Sequence, residues 1–268
     1  MAQTANVVQL KPRTLQAFED YIREAEAGME PSLHGSGAFL WSDSNSERAQ
    51  HVRQGQIVAQ LWAGDAAVKV PNGLIHDWIG AAFVPDATIE QALALVQNYD
   101  NHKNIYQPEV LDSKLVSRDG NDFKIFLRLL KKKIITVVLD TDHDVHYSKV
   151  DANRWSCRSY TTRIAEVEDA GTPKERALEP DTGYGFLWRL YSYWKFDQKI
   201  GGTASASERH TSAHQSEGVY IECRAISLTR DIPVGLGWII EPIIRKLPRE
   251  SLISTLRATR DALKPSSS

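Results

Sequence analysis

The chain has 268 residues, 42% of them hydrophobic and 25% charged, with a formal net charge of -2. That length and apolar content can bury a sizeable core, and the near-neutral balance gives no overall pull toward nucleic acid or an anionic membrane surface. No apolar run approaches the ~18 residues that cross a bilayer. The start of the chain, 1–8, lacks the basic and apolar segments of a signal peptide, so a soluble cytoplasmic protein is expected unless a leader has been removed.

In chain order, 14–29 reads as a helix, with Thr14 as its N-cap, Leu15, Phe18, Tyr21, Ile22 and Ala25 on one stripe, and Pro31 ending it. The polar stretch to Ala67, with a short strand pattern over 56–62, is too small for a core of its own. Residues 1–67 are therefore expected to be an extension packed on a main domain spanning 68–268. That domain opens with a strand over 73–84. Thr88, with Gln91 three residues on, forms a capping box for a helix bearing Ile89, Leu93 and Val96. A meander follows over 109–118, 122–130, 134–147 and 155–167, with Asp119-Gly-Asn121 as a hairpin turn. An aromatic strand over 186–196 comes next. The Gly/Ser/Ala/Thr-rich segment 200–217 reads as a mobile insertion. In the strand over 219–228, Val219, Ile221, Cys223 and Ala225 alternate with Tyr220, Glu222 and Arg224, which puts one set on a core and the charges on the other face. A long apolar helical tract closes the chain, and Pro242 and Pro248 are expected to segment it into a looser part over 234–247 and a firmer one over 249–263.

Strand, helical pair, about six antiparallel strands and a terminal helix is an order that resembles the helix-grip superfamily of START lipid-transfer domains, polyketide cyclases and plant pollen allergens. The residues that carry the likeness are Phe83-Val-Pro-Asp-Ala-Thr88, Tyr99-Asp-Asn-His-Lys-Asn-Ile-Tyr106-Gln-Pro-Glu-Val110, and the terminal strand followed by Pro248-Arg-Glu-Ser-Leu252. It covers about 73–264 and is closest to bacterial START-like proteins. The resemblance implies an α+β helix-grip fold, in which a curved antiparallel sheet of about seven strands wraps around a long C-terminal helix. It implies an internal cavity for a lipid, polyketide or isoprenoid-like molecule, to be bound or transferred. The alternative is a cyclase or aromatase acting in the same cavity, and a filled core would leave an interaction module.

The aromatic stock for a ligand site is Tyr106, Trp155, Trp188, Tyr193, Trp194 and Trp238. Phe186, Trp188, Leu190, Ser192, Trp194 and Phe196 share one parity and are expected to face inward. Such a stripe serves core packing as readily as a cavity. His143 shares its parity with Val137, Leu139, Val145 and Tyr147 and is a candidate buried polar handle, while His146 falls with Asp140, Asp142 and Asp144 on a solvated face. Residues i and i+3 of a strand point oppositely, so His143 and His146 cannot share an ion. His210 and His214 have ligand spacing only if the insertion is helical. No metal and no cofactor is expected. Arg158, Tyr160, Arg163 and His143 could polarise a carbonyl, but strand parity keeps Tyr160 and Arg163 from both facing inward. No phosphate-binding Gly-rich loop, Gly-x-Ser-x-Gly elbow or His-Glu-x-x-His occurs, and the resemblance carries over no catalytic set. Cys157 and Cys223 sit two strands apart, beyond the ~7 Å between Cα atoms that a disulfide tolerates. A hydrophobic small molecule is the expected partner, with no nucleic acid. Membrane contact is limited to a transient brush of 131–133, three lysines, against anionic headgroups. The sequence sets no oligomeric state.

Overall fold

The computed structural model describes residues 7–35, 37–62, 64–132, 136–199, 217–231 and 237–264, with the backbone alone over 237–245. Helix α1 (Pro12–Leu33) starts two residues before Thr14, with Pro12 in its first turn, and runs through Pro31 to Leu33. A proline in that last turn ends the ladder without breaking the helix. Helix α2 (Ser46–Arg53) follows, capped by Asn45, whose side chain accepts from Arg48 N. The capping box of α3 (Ile89–Gln97) forms as the sequence dictates, Thr88 and Gln91 each bonding the other's backbone amide. A short α4 (His102–Ile105) completes the helical pair.

The main sheet is antiparallel and has ten strands rather than about seven. Its path runs β2 (Val58–Leu61), β4 (Gly73–Pro85), β12 (Gly218–Arg230), β11 (Arg189–Lys199), β8 (Arg154–Glu168), β7 (Thr136–Lys149), β6 (Asp122–Lys132), β5 (Val110–Asp119). Strand β3 (Val68–Val70) adds to β4, and β9 (Arg176–Ala177) adds to β8. Of the extra strands, β2 falls within the strand pattern over 56–62, while β3 and β9 are too brief to show a period of two. A separate ribbon pairs β1 (Val8–Gln9) with β10 (Thr182–Gly183).

Helix α5 (Gly237–Leu263) is continuous through Pro242 and Pro248. The expected segmentation is therefore absent from the backbone, and residues 234–236 of that tract lie outside those described. The helix lies on what we term the inner face of the sheet. Leu252 and Leu256 pack there with Ala82, Val84, Ile221 and Cys223. Gly80 makes this approach possible: a Cβ there would come within 2.9 Å of Leu256 Cδ1 and 3.2 Å of Leu252 Cδ2.

The outer face is covered by the N-terminal segment. Phe18 and Ile22 of α1 pack with Ile75, Trp188, Ile226 and Leu228, and Phe39, Leu40 and Val52 pack with Ala81, Phe83 and Tyr220. This corrects one reading of β12. Glu222 and Arg224 do point away from α5, but both are buried, because the face they reach is not solvent.

Candidate functional site

Between the inner face and α5 lies a cavity of about 690 Å³. At one end it is bounded by Val96, Tyr99, Tyr147 and Phe196. At the other, the strand ends bring up Glu109, Lys131, Arg230 and Asp231, and these are the only charged residues around it among those described. Lys131 Nζ bonds the Glu109 carboxylate and donates to Ser251 Oγ of α5 at 2.8 Å, so that charge is already matched. Glu166 fixes a wall from behind. Its buried carboxylate accepts from Tyr184 N (2.7 Å), Gly185 N (2.9 Å) and Phe186 N (3.0 Å), and all three residues border the cavity. Burial raises its pKa against the pull of those amides.

The interior polar groups are neutral. His76, His102 and His143 are each pushed down to about 4 by burial, so all three are uncharged imidazoles at neutral pH. Burial pushes Cys157 and Tyr106 up to about 12, and Tyr99, Tyr147 and Cys223 well above their usual range. A thiol so shifted is not a nucleophile. Most of these groups already have partners: Tyr99 and Tyr147 share a 2.8 Å hydrogen bond, Tyr106 meets Thr259 Oγ1 at 3.1 Å, and His102 Nε2 donates to Val96 O at 3.0 Å. His143 is locked in one tautomer. Thr141 Oγ1 donates to Leu127 O (2.9 Å), so it accepts from His143 Nε2–H (2.9 Å). Nδ1 is then the acceptor of the Ser159 hydroxyl at 3.3 Å.

Of the residues singled out in the sequence, Tyr106, His143 and Trp194 border the cavity. Trp155 packs against the inner core beside the β8–β11 pairing and is not among the bordering residues. Tyr193 and Trp188 face the other way, Tyr193 donating to Glu26 of α1 at 2.8 Å and Trp188 packing against Phe18 and Ile75. The expected parity fails there because β11 begins only at Arg189, and a bend at Trp188 turns that side chain to the outer face while Phe186 and Leu187 turn inward. Trp238 lies in the part of α5 described by backbone alone, and the insertion with His210 and His214 lies outside the described residues.

The carbonyl-polarising set does not converge. The register shift between Asp142 and His143 leaves Thr162 out of the Cα pairing with β7, its hydroxyl donating to Asp142 O at 3.2 Å, and pairs Arg163 with Asp142, to which it is ion-paired at 3.3 Å. Tyr160 bonds Glu26 of α1, and only His143 of the four borders the cavity. His146 bonds Asp122 on the surface at 2.7 Å, and Asp140, expected to be solvated, is buried against Arg128. No group of three or more metal-ligating side chains occurs among the described residues. Cys157 and Cys223 are free and sit on either side of Trp194 in the register, two strands apart.

Sequence reasoning passed over Ser159, Ser192, Ser227 and His76, which also border the cavity. The signal for Ser192 was its place in the inward stripe. For the others it was invisible without the strand register.

An antiparallel sheet closed on one face by a C-terminal helix, with the helical pair between the first long strand and the meander, is a helix-grip fold. No family model matches the chain, and no curated protein matches it. Among solved structures it is similar to a STAR-related lipid transfer protein from Xanthomonas axonopodis, at 14% identity and a TM-score of 0.45 over 75% of this chain and 98% of that one. It is also similar to TTHA0849 from Thermus thermophilus, at 14% identity and a TM-score of 0.44 over 71% of this chain and 98% of that one. A third match is the di-domain ARO/CYC StfQ from the steffimycin biosynthetic pathway, at 13% identity and a TM-score of 0.42 over 70% of this chain and 51% of that one. These are likenesses at low identity, and the function proposed below rests on this chain's own cavity.

Proposed function

We propose that the protein binds or transfers a hydrophobic small molecule, of the lipid, polyketide or isoprenoid kind, in the cavity between the sheet and α5. The observation that carries this is the cavity itself: about 690 Å³, within the range of small-molecule sites, and bordered mainly by apolar and aromatic side chains. Burial of apolar ligand surface, at ~25 cal/mol per Å², supplies the affinity, and a few hydroxyls orient the ligand. Residues 68–268 form the binding unit in this reading, with 1–67 covering the back of its sheet. No helix of the described residues is long and apolar enough to cross a membrane, and any exchange with one is in this reading a transient surface contact.

Carriage is favoured over cyclisation by the state of the titratable groups. Catalysis in the cavity needs an acid or base poised near neutral pH. Its imidazoles are held near 4, and burial raises Tyr106 and Cys157 to about 12 and lifts Tyr99, Tyr147 and Cys223 well above their usual range. An apolar fluorescent probe should bind saturably, quench tryptophan emission through Trp194, and be displaced by members of a panel of sterols, fatty acids and polyketide aromatics. Folded protein that binds no member of such a panel would refute the proposal.

A further inference from the structure

The inner face of the sheet carries a short belt of serines part-way along the cavity. Ser159 of β8 and Ser192 of β11 are direct cross-strand partners, which places their Cβ atoms about 4.5–5.5 Å apart. Ser192 pairs in turn with Ala225 of β12, and Ser227 lies two residues further along that strand. All three serines border the cavity. Toward one end the same strands supply the row Cys157, Trp194 and Cys223; toward the other come Phe186 and Leu187 ahead of β11, Leu139 of β7 and, on β12 itself, Thr229. Along β11 the belt is thus a polar strip with apolar wall on both sides, while on β4 and β12 it continues through His76 and Thr229.

Each hydroxyl has hydrogen-bonding capacity left over. The Ser159 proton is committed to His143 Nδ1, so its oxygen remains an acceptor. Ser192 Oγ accepts from Trp194 Nε1 at 3.3 Å, so its proton remains a donor. Ser227 is 8% exposed, and its hydroxyl has no partner among the described residues. A polar side chain more than nine-tenths buried, unpartnered and facing a cavity costs stability unless something in the cavity meets it. Among the described residues, no charged side chain borders the cavity beside Ser159 or Ser192. The charged residues that border it among those described lie at the end bearing Glu109, Lys131, Arg230 and Asp231.

We propose that the ligand is an uncharged, oxygen-bearing apolar molecule whose hydroxyl or ketone lies in the interior of its skeleton, where it meets Ser159, Ser192 and Ser227. The inference rests on the cavity-binding reading above and adds a chemical class to it. A carboxylate at the belt would be desolvated with no cation to pair with, and a pure hydrocarbon would leave the Ser227 hydroxyl unmet.

The test uses the full chain and three probes of matched skeleton: anthracene, anthrone and anthracene carboxylate, each titrated against tryptophan emission at neutral pH. Anthrone, with its carbonyl on the central ring, should bind roughly tenfold more tightly than either of the others, the worth of one well-made buried hydrogen bond. In the double variant Ser192→Ala/Ser227→Ala that preference should vanish, and in Ser192→Thr/Ser227→Thr, which keeps both hydroxyls, it should persist. Melting temperatures of both variants establish that they fold. Equal affinity for the three probes, or tightest binding of the carboxylate, overturns the belt inference while leaving cavity binding in place. Failure of all three to bind saturably removes the cavity reading and this inference with it.

Discussion

The two faces of one sheet bury polarity in opposite ways. On the outer face, charge is buried and paired. Arg224 Nε and Nη2 meet Asp77 Oδ1 at 3.0 Å and Oδ2 at 2.6 Å, Tyr21 donates to Asp77 Oδ2 at 2.8 Å, and Arg224 stacks 4.0 Å from the Trp62 ring. Glu26 of α1 accepts from both Tyr160 and Tyr193, and Lys195 donates to Ser32 Oγ (2.6 Å) and Phe39 O (2.8 Å). On the inner face, the same strands present serines, threonines and neutral imidazoles. Ion pairs with one geometry suit a face that must recognise only its own N-terminal segment. Neutral hydroxyls with spare capacity suit a face that must meet something from outside.

The largest expected contrast is between two tryptophans six residues apart. Trp188→Ala removes a buried ring from the packed outer face and should cost roughly 3–5 kcal/mol in urea unfolding, with little change in probe binding. Trp194→Ala, beside the cavity, should cost clearly less, because its ring is only partly buried, and should change probe affinity. Equal losses from the two would mean that both faces are packed alike. A comparable cost attends the outer-face ion pair. Asp77→Ala leaves Arg224 buried without its carboxylate and should destabilise the protein by roughly 3–5 kcal/mol in the same assay.

Much of this architecture was legible in the sequence. The period of two in β12, the Thr88/Gln91 capping box and the hairpin at Asp119-Gly-Asn121 are local signals, and each element formed where those signals lie. What lay behind the sheet was not legible. An alternating strand reports that its faces differ, and it cannot report that the charged one is covered by a helix from two hundred residues earlier. Glu222 and Arg224 therefore read as solvated. The site was legible in part for a related reason. Tyr106, His143 and Trp194 were found by type and parity, but parity assumes an unbroken strand and failed at the bend of Trp188. Ser159 and Ser227 acquire meaning only once the register sets them beside Ser192.

The faces should also separate by pH. His76, His102 and His143 stay neutral in the fold to about 4, whereas in the unfolded chain they protonate near 6.5. The unfolded state therefore binds more protons in that window, and stability should fall as pH drops from 6.5 toward 4, by at most about 3 kcal/mol per histidine. Glu222 works in the opposite sense. Burial lifts its carboxyl to about 7, against the pull of Lys195 and the amides of Trp41 and Ser42. The folded state then holds a proton that the unfolded chain has lost, so stability should fall as pH rises from 4.5 to 7. Urea midpoints across pH 4–8 should show His143→Leu flattening the acid loss and Glu222→Gln steepening it. The reverse pattern would mean that these groups are not buried as described.

A smaller effect is expected at the seam between sheet and α5. Gly80→Ala would press a methyl against Leu252 and Leu256 and should cost about 1–3 kcal/mol. It should weaken probe binding as well, because α5 is one wall of the cavity. A change in stability with unaltered binding would show that α5 does not set the cavity's width.

The central claim is that the inner face holds an apolar ligand, and native mass spectrometry of the protein purified from its own host tests it most directly. The expected spectrum contains a population heavier than the chain by one small molecule, lost on organic extraction and regained on incubation with the extract. Protein that shows only the mass of the bare chain, and takes up nothing from a lipid extract of the same cells, would contradict the claim.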